Sequence, residues 1–351
     1  MGRDAYLRLV RGESRGPRAG LARAGLSAVG AGYRLGVATR NLAFDRGWTP
    51  VHRASVPVVS IGNITLGGTG KTPMVEWVCR HYRDRGLRVA ILSRGYGSAG
   101  GLNDEGLVLD ANLPDVPHLQ AADRVANARI AVEELESEIL VLDDGFQHRR
   151  LARDLDVVLL DALEPFGHGR IFPRGLLREP ISSLRRAGVV VLSRADLVPP
   201  DRRAAIRERA ERGAGRRLPW AEARHAPRDL IDTEGRSIGL EALGDSGPVV
   251  AFCGLGNPEG FRRTLAGLGV EPAGFRSLSD HHDYTAADVA DLSAWARERG
   301  AALALTTQKD LVKLRTVAIG GVPLQALRIG LELLEGGDRL AAALDGVAPR
   351  G

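Results

Sequence analysis

Ser60-Ile-Gly-Asn-Ile-Thr-Leu-Gly-Gly-Thr-Gly-Lys-Thr-Pro73 is the stretch on which the fold turns. It follows an apolar, β-branched run at 56–61 and precedes a helical pattern at 74–85. A strand, a glycine-rich loop ending Gly-Lys-Thr and a helix together make a phosphate cradle. The loop's N–H groups and the positive end of the helix dipole converge on one anion. Gly67, Gly68, Thr69 and Gly70 would form the cradle. Lys71 would reach the β- and γ-phosphates of a nucleotide, and the Thr72 hydroxyl would hold Mg²⁺. The spacing departs from the common G-x-x-x-x-G-K-[ST]: position 65 is Thr, and the glycines stand at 62, 67, 68 and 70. Of the 48 basic residues only Lys71, Lys309 and Lys313 are lysines. In a chain that otherwise uses arginine, a lysine here points to a need for a compact point charge.

Outward from the loop, short runs rich in Val and Leu recur at 89–93, 139–143, 157–161 and 189–193 and read as buried parallel strands. Helical patterns at 74–85 and 122–136 alternate with them. The alternation predicts a P-loop NTPase-like, doubly wound, mostly parallel α/β sheet. A charged helix is expected at 202–212 and a linker at 213–219. A second, smaller α/β domain follows, with strands at 249–253, 302–307 and 323–329 and helices at 258–268, 286–299 and 339–344. Asn257 and Pro258 read as the N-cap and first residue of one of these helices. The expected organisation is an N-terminal segment 1–50, a nucleotide-binding domain 51–215 and a C-terminal domain 216–351. Two α/β lobes imply a ligand cleft between them.

The 351 residues are 44% hydrophobic and 26% charged, ample for buried cores. A net charge of +5 suits an anionic partner. The arginines are interleaved with Asp and Glu, and aromatics are only 5%, so no nucleic-acid platform is expected. Cys79 and Cys253 lie far apart, which predicts neither disulfide nor zinc site and suits a reducing cytoplasm. Residues 1–20 lack an apolar h-region, Tyr6 breaks the myristoylation pattern, and no stretch reaches 18 uninterrupted apolar residues. No leader, acyl anchor or membrane span is therefore expected. In residues 18–46, Ala22, Leu26, Val29, Tyr33 and Val37 recur at helical steps among five arginines. This N-terminal amphipathic helix either lies on an anionic membrane or packs on the protein's own body.

Residues 139–144 form an apolar strand ending in two carboxylates. An acidic residue at that position in P-loop enzymes holds Mg²⁺, and either Asp143 or Asp144 fits. Gly145-Phe-Gln-His-Arg-Arg150 adds donors for phosphate oxygens.

The Asp143-Asp-Gly-Phe-Gln-His-Arg149 stretch, with the variant loop, resembles the tetraacyldisaccharide 4′-kinase (lipid A 4′-kinase) family. Leu92-Ser-Arg-Gly-Tyr-Gly97, Asn103-Asp-Glu105, Pro173-Arg-Gly-Leu-Leu-Arg-Glu-Pro180, Ser279-Asp-His-His-Asp-Tyr284 and Thr307-Gln-Lys-Asp310 look like further motifs of that family. The likeness runs in order from about residue 20 to about residue 330. It implies transfer of the γ-phosphate of ATP, with Mg²⁺, to the 4′-hydroxyl of tetraacyldisaccharide 1-phosphate, giving lipid IVA in lipid A synthesis. It also implies a cytoplasmic enzyme peripheral on the inner membrane, whose N-terminal helix contributes to the contact. The lipid disaccharide and the anionic membrane are then its partners, and no obligate protein partner is evident. By the same resemblance, Lys71 binds the β- and γ-phosphates, and Thr72 and Asp143 hold the metal. Asp144, Arg178 and Glu179 belong to the nucleotide site, to which Gln147 and His148 are joined as the donors of the segment after Asp144. Asp104 is the base for the acceptor hydroxyl, paired with His281 or its neighbour His282. Where many members read Gly-Asp-Glu-Pro, this chain reads Asn103-Asp-Glu-Gly106.

A P-loop GTPase is the main rival. Residues 190–197 resemble the guanine-reading Asn-Lys-x-Asp strand end, with Asp196 in place. Ser193 and Arg194 replace the Asn and Lys, however, and D-x-x-G is absent at Asp143.

Overall fold

The computed structural model describes residues 2–95, 104–280, 282–314 and 316–349, with only the backbone at 3 and 4. The chain forms two compact units that are interleaved in sequence. The first comprises Met1–Arg94, Val116–His225 and Leu331–Gly351, the second Gly95–Asp115 and Ala226–Gly330. This division differs from the boundaries expected at 50 and 215. Residues 1–50 belong to the first unit, the 213–219 connection lies inside it, and 95–115 and 331–351 each group across the expected line. Contacts explain the last point: the terminal helix Gly337–Asp345 packs on the helix Lys71–Arg83. The Tyr82 hydroxyl donates to the Leu344 carbonyl at 2.9 Å, and His81 Nε2 lies 2.9 Å from Asp345 Oδ1.

The first unit carries the expected parallel sheet. Its strands run His118–Gln120, Val89–Ser93, Ile139–Asp143, Val58–Asn63, Leu155–Asp161, Val189–Ser193 and the start of Trp220–Asp232, in that spatial order, every neighbouring pair parallel. Val58–Asn63 is flanked by Ile139–Asp143 and Leu155–Asp161, so the chain leaves it where strand order switches, the usual ligand position of an open α/β sheet. Both faces are covered. Val158, Leu160, Val190 and Leu192 pack with Phe146, Phe166 and Trp220 on one side. Val58, Ala90, Leu92, Leu140 and Leu142 pack with Ala128 and Ala131 on the other. Burial on both faces is why these strands read as continuous apolar runs.

Within the same unit a 29-residue helix, Pro17–Asp45, starts with proline at its first position. It docks through Gly30, Val37 and Asn41. Leu21, Val29, Leu35 and Leu42 remain exposed. Both alternatives read from the sequence thus have a face of their own.

In the second unit, Gly274–Ser277, Val249–Cys253, Leu303–Thr307 and the start of Val322–Glu335 form a parallel sheet in that order. Alternation divides its core: Val250 and Phe252 face one helical layer, while Val249, Ala251 and Cys253 face the other. Asn257 caps the helix Pro258–Gly267 as expected, its side chain accepting from Gly260 N. Both cysteines are buried free thiols.

Candidate active site

Three neighbours brace the glycine-rich loop of the first unit. The segment before Arg178 pairs with it: Thr65 bridges Leu177, Leu66 N donates to the Leu176 carbonyl at 2.7 Å, and Arg178 N donates to the Ile64 carbonyl at 2.8 Å. Thr65 thus occupies a strand-like bridge, a conformation open to any residue, which accounts for the missing glycine. The end of Val189–Ser193 supplies the second brace. Ser193 Oγ donates to the Thr69 carbonyl at 2.8 Å, and Arg194 donates to the Gly68 carbonyl while paired to Asp161 at 2.8 Å. This is the segment that resembled a guanine reader; here its side chains hold the loop, and Asp196 is exposed. Third, Asn63 Nδ2 donates to Thr69 Oγ1 at 3.0 Å, and Gln147 Nε2 donates to the Asn63 carbonyl at 2.9 Å.

Gly70 caps the helix Lys71–Arg83 with φ of 84°, and a Cβ there would lie 2.3 Å from His225 Nε2. Both facts demand glycine. Burial and the Arg194 charge push the His225 pKa down to about 4, so its ring is neutral near pH 7. By contrast, Gly67 and Gly68 face open space: an added Cβ would meet nothing within 4 Å. The loop is fixed below and open above, at the N-terminus of a 13-residue helix. That is the geometry of an anion site.

Charge converges on Asp144, which follows the strand Ile139–Asp143 in left-handed backbone, φ 50°. Arg178 donates to its two oxygens at 2.7 and 2.9 Å, and Lys71 Nζ lies 3.7 Å from Oδ1. Arg178 also reaches Asn63 Oδ1 at 3.3 Å, and Arg124 donates to the Asp144 carbonyl at 3.3 Å. Burial alone would raise the Asp144 pKa. The Arg178 hydrogen bonds and the Lys71, Arg178 and Arg124 charges outweigh it and hold the carboxyl below its usual range. Asp143 closes its strand in register with Ile61, beside the start of the loop, and is buried. Thr72 is buried in the first turn of the helix. Its hydroxyl and the Asp143 carboxylate are hard oxygen donors, the set Mg²⁺ takes alongside phosphate oxygens.

Other expected residues have different surroundings. Glu179 is fully buried, its carboxylate taken by Arg40 at 3.0 Å, Asn41 at 3.1 Å and Arg186 at 2.8 Å. Arg40 and Asn41 come from the helix Pro17–Asp45, so Glu179 anchors that helix one residue from Arg178. Burial, with the charges of Arg124, Arg150 and Arg153, pushes the His148 pKa down to about 4 and keeps it neutral near pH 7.

In the second unit, Asp104 opens the helix Asp104–Asn112. Its Oδ2 lies 3.3 Å from Lys313 Nζ, and Glu105 Oε1 lies 3.3 Å from Lys309 Nζ. His281 and Asn103 lie outside the described residues. His282 lies 3.2 Å from Ser279 Oγ and 3.3 Å from Asp288, and its ring meets Tyr284 edge-on. The helix Ala286–Glu298 is capped by Thr285 through a capping box with Asp288.

In the sequence, His225, Arg124 and the Ser193–Arg194 brace are not legible as parts of the site. Their side chains reach it from distant segments, and no local spacing signals them. Lys309 and Lys313 did carry a signal, as two of the chain's three lysines.

A profile of the tetraacyldisaccharide-1-P 4′-kinase family matches residues 22–347. A tetraacyldisaccharide 4′-kinase of Anaeromyxobacter dehalogenans is 47% identical, over 95% of this chain and 92% of that protein. One of Syntrophus aciditrophicus is 39% identical, over 80% and 82%. Among solved structures, LpxK from Aquifex aeolicus in complex with ATP matches with a TM-score of 0.76 and 29% identity, over 93% of this chain and 100% of that one.

Proposed function

The chain belongs to the tetraacyldisaccharide 4′-kinase family, and from that premise we propose how its residues share the work. The protein is an ATP-dependent lipid kinase that passes the γ-phosphate of ATP to the 4′-hydroxyl of tetraacyldisaccharide 1-phosphate, forming lipid IVA. One observation carries the assignment of its nucleotide site: Lys71, Arg178 and Asp144 meet at the open side of a loop that three other segments hold rigid.

Phosphoryl transfer runs through a loose transition state, so catalysis is mainly positioning and neutralisation of spread charge. The loop from Gly67 to Gly70 and the helix N-terminus bind the phosphate chain. Lys71 and Arg178 carry the positive charge for the transferring group, and Asp144 holds both cations in place. Gln147 acts through Asn63 on the loop, and Glu179 through the backbone beside Arg178. His148, neutral near pH 7, is assigned to the nucleotide site. Thr72 and Asp143 would hold Mg²⁺, which when bound offsets the charge of the phosphates. Asp143, buried at the strand end in register with Ile61 beside the start of the loop, is the metal's carboxylate in this reading. Asp104 accepts the proton of the acceptor hydroxyl, with His281 or His282 as its partner, a term worth about 10²- to 10⁴-fold.

Among the described residues no helix is long and apolar enough to cross a membrane. The exposed Leu21, Val29, Leu35 and Leu42 face of Pro17–Asp45 instead suits seating on the anionic inner-membrane surface, where this substrate resides. The helix is long enough for this, about 43 Å at 1.5 Å per residue.

Magnesium titration tests the metal assignment. Asp143→Asn should raise the Mg²⁺ concentration needed for half-maximal turnover at least tenfold. Asp144→Asn should lower turnover without that shift. The reverse pattern would exchange the two roles.

A further inference from the structure

Asp104 is not presented to the reaction on its own. Lys313 Nζ lies 3.3 Å from Asp104 Oδ2 and 3.9 Å from Asp310 Oδ1, with a side chain only 9% exposed. Asp310 is fully buried and firmly placed. It accepts from the Gly254 N–H at 3.1 Å to each oxygen and from Thr307 Oγ1 at 2.5 Å. The Tyr284 ring lies 5.7 Å from the same ammonium. All these residues belong to the second unit. A strand-end amide and a threonine fix Asp310, whose carboxylate lies near the Lys313 ammonium, and that ammonium faces Asp104.

The choice of residue is informative. Each of the three lysines pairs with a carboxylate of one of the family-like motifs: Lys71 with Asp144, Lys309 with Glu105 and Lys313 with Asp104. An arginine fork takes both oxygens of a carboxylate, as Arg178 does on Asp144. An ammonium is a single point charge, and here it meets one oxygen of Asp104.

We propose that Lys313 is a positioning residue for the acceptor-activating carboxylate, its ammonium pairing with Asp104 and orienting it from beside Asp310. The proposal rests on the reading of Asp104 as proton acceptor. Among the described residues Lys313 faces Asp104 directly; Asp310 and the Tyr284 ring lie around the same ammonium, Glu105 beside Asp104 pairs with Lys309, and His282 meets the Tyr284 ring.

The test is the pH profile of kcat for Lys313→Met, Lys313→Arg and Asp104→Asn, with the KM for ATP measured alongside. An opposite charge a few ångströms away favours the ionised form of a carboxyl group. Removing Lys313 should therefore move the acid limb of kcat upward and lower kcat by about tenfold or more. The KM for ATP should stay unchanged, and Lys313→Arg should return the limb to its wild-type position. A uniform loss at every pH, with the limb unmoved, would make Lys313 a mere structural support and overturn the proposal. Lys313→Gln keeps a donor of similar reach without the charge, and it decides by the same limb if Lys313→Met does not fold. Wild-type kcat and limb in Asp104→Asn would instead remove the underlying reading, a failure distinct from that of the lysine.

Discussion

Arg178 grips Asp144 with both guanidinium nitrogens, Nη1 to Oδ1 at 2.7 Å and Nη2 to Oδ2 at 2.9 Å. The same Oδ1 lies 3.7 Å from Lys71 Nζ. One carboxylate thus places the two cations that the phosphates need. Arg178→Lys keeps the charge and loses the fork, so kcat should fall about 10²-fold, as for loss of one transition-state donor. In an Asp144→Asn background the same exchange should cost much less, because the two residues act as a unit. Steady-state kinetics of the four proteins checks this; additive losses would contradict it.

Gly70 separates two kinds of constraint. A Cβ at this position clashes with His225, and its φ of 84° is strained for any L-residue. Gly70→Ala should abolish ATP binding measured with a fluorescent nucleotide. Adding His225→Ala relieves the clash but leaves the backbone strain of about 1 kcal/mol, so binding should return only in part. Full recovery in the double variant would mean that the dihedral carries no constraint.

Glu179 links stability to acid pH. Burial works against its ionisation, but Arg186 and its other partners outweigh this and hold its pKa below the ordinary 4.5. A depressed folded-state pKa contributes stability that is fully present above the unfolded value and is lost as pH falls through the folded one. The wild-type melting temperature should therefore drop as pH falls below about 4.5, and the drop should be shallower in Glu179→Gln. Near pH 7, Glu179→Ala leaves Arg186 buried and unpaired at a cost of about 3–5 kcal/mol. Thermal unfolding across pH 3–7 reads both effects; identical profiles for wild type and Glu179→Gln would refute the linkage.

The exposed face of Pro17–Asp45 predicts a separation of binding from folding. Leu21→Glu with Leu35→Glu should weaken sedimentation with anionic vesicles at least tenfold. The melting temperature should hardly move, since exposed positions usually cost within about 0.5 kcal/mol. Unchanged vesicle binding would leave that face without a membrane role.

Much of this fold is legible in the sequence because buried parallel strands are short, apolar and uninterrupted. Val89–Ser93, Ile139–Asp143, Val189–Ser193 and Val249–Cys253 fall where their Val- and Leu-rich runs lie. Trp220–Asp232 escapes that reading because charged residues and Pro227 interrupt it and its middle is not buried. Asp104–Asn112 is only nine residues long and reads as an acidic pair rather than a helix. The interleaving of the two units depends on contacts such as Tyr82 with Leu344, which no local pattern encodes. At the site, spacing alone singles out Lys71 and Thr72, while the strand end offers Asp143 and Asp144 alike. Glu179 shows why a motif residue need not face the ligand: its neighbours, not its spacing, give it an anchoring role.

The most direct test of the account is transfer of labelled γ-phosphate from ATP to tetraacyldisaccharide 1-phosphate in detergent, with Lys71→Ala run beside the wild type. The account predicts labelled lipid from the wild type and none from the variant. Label remaining on nucleotide or released as inorganic phosphate with both proteins, and no labelled lipid, would contradict it.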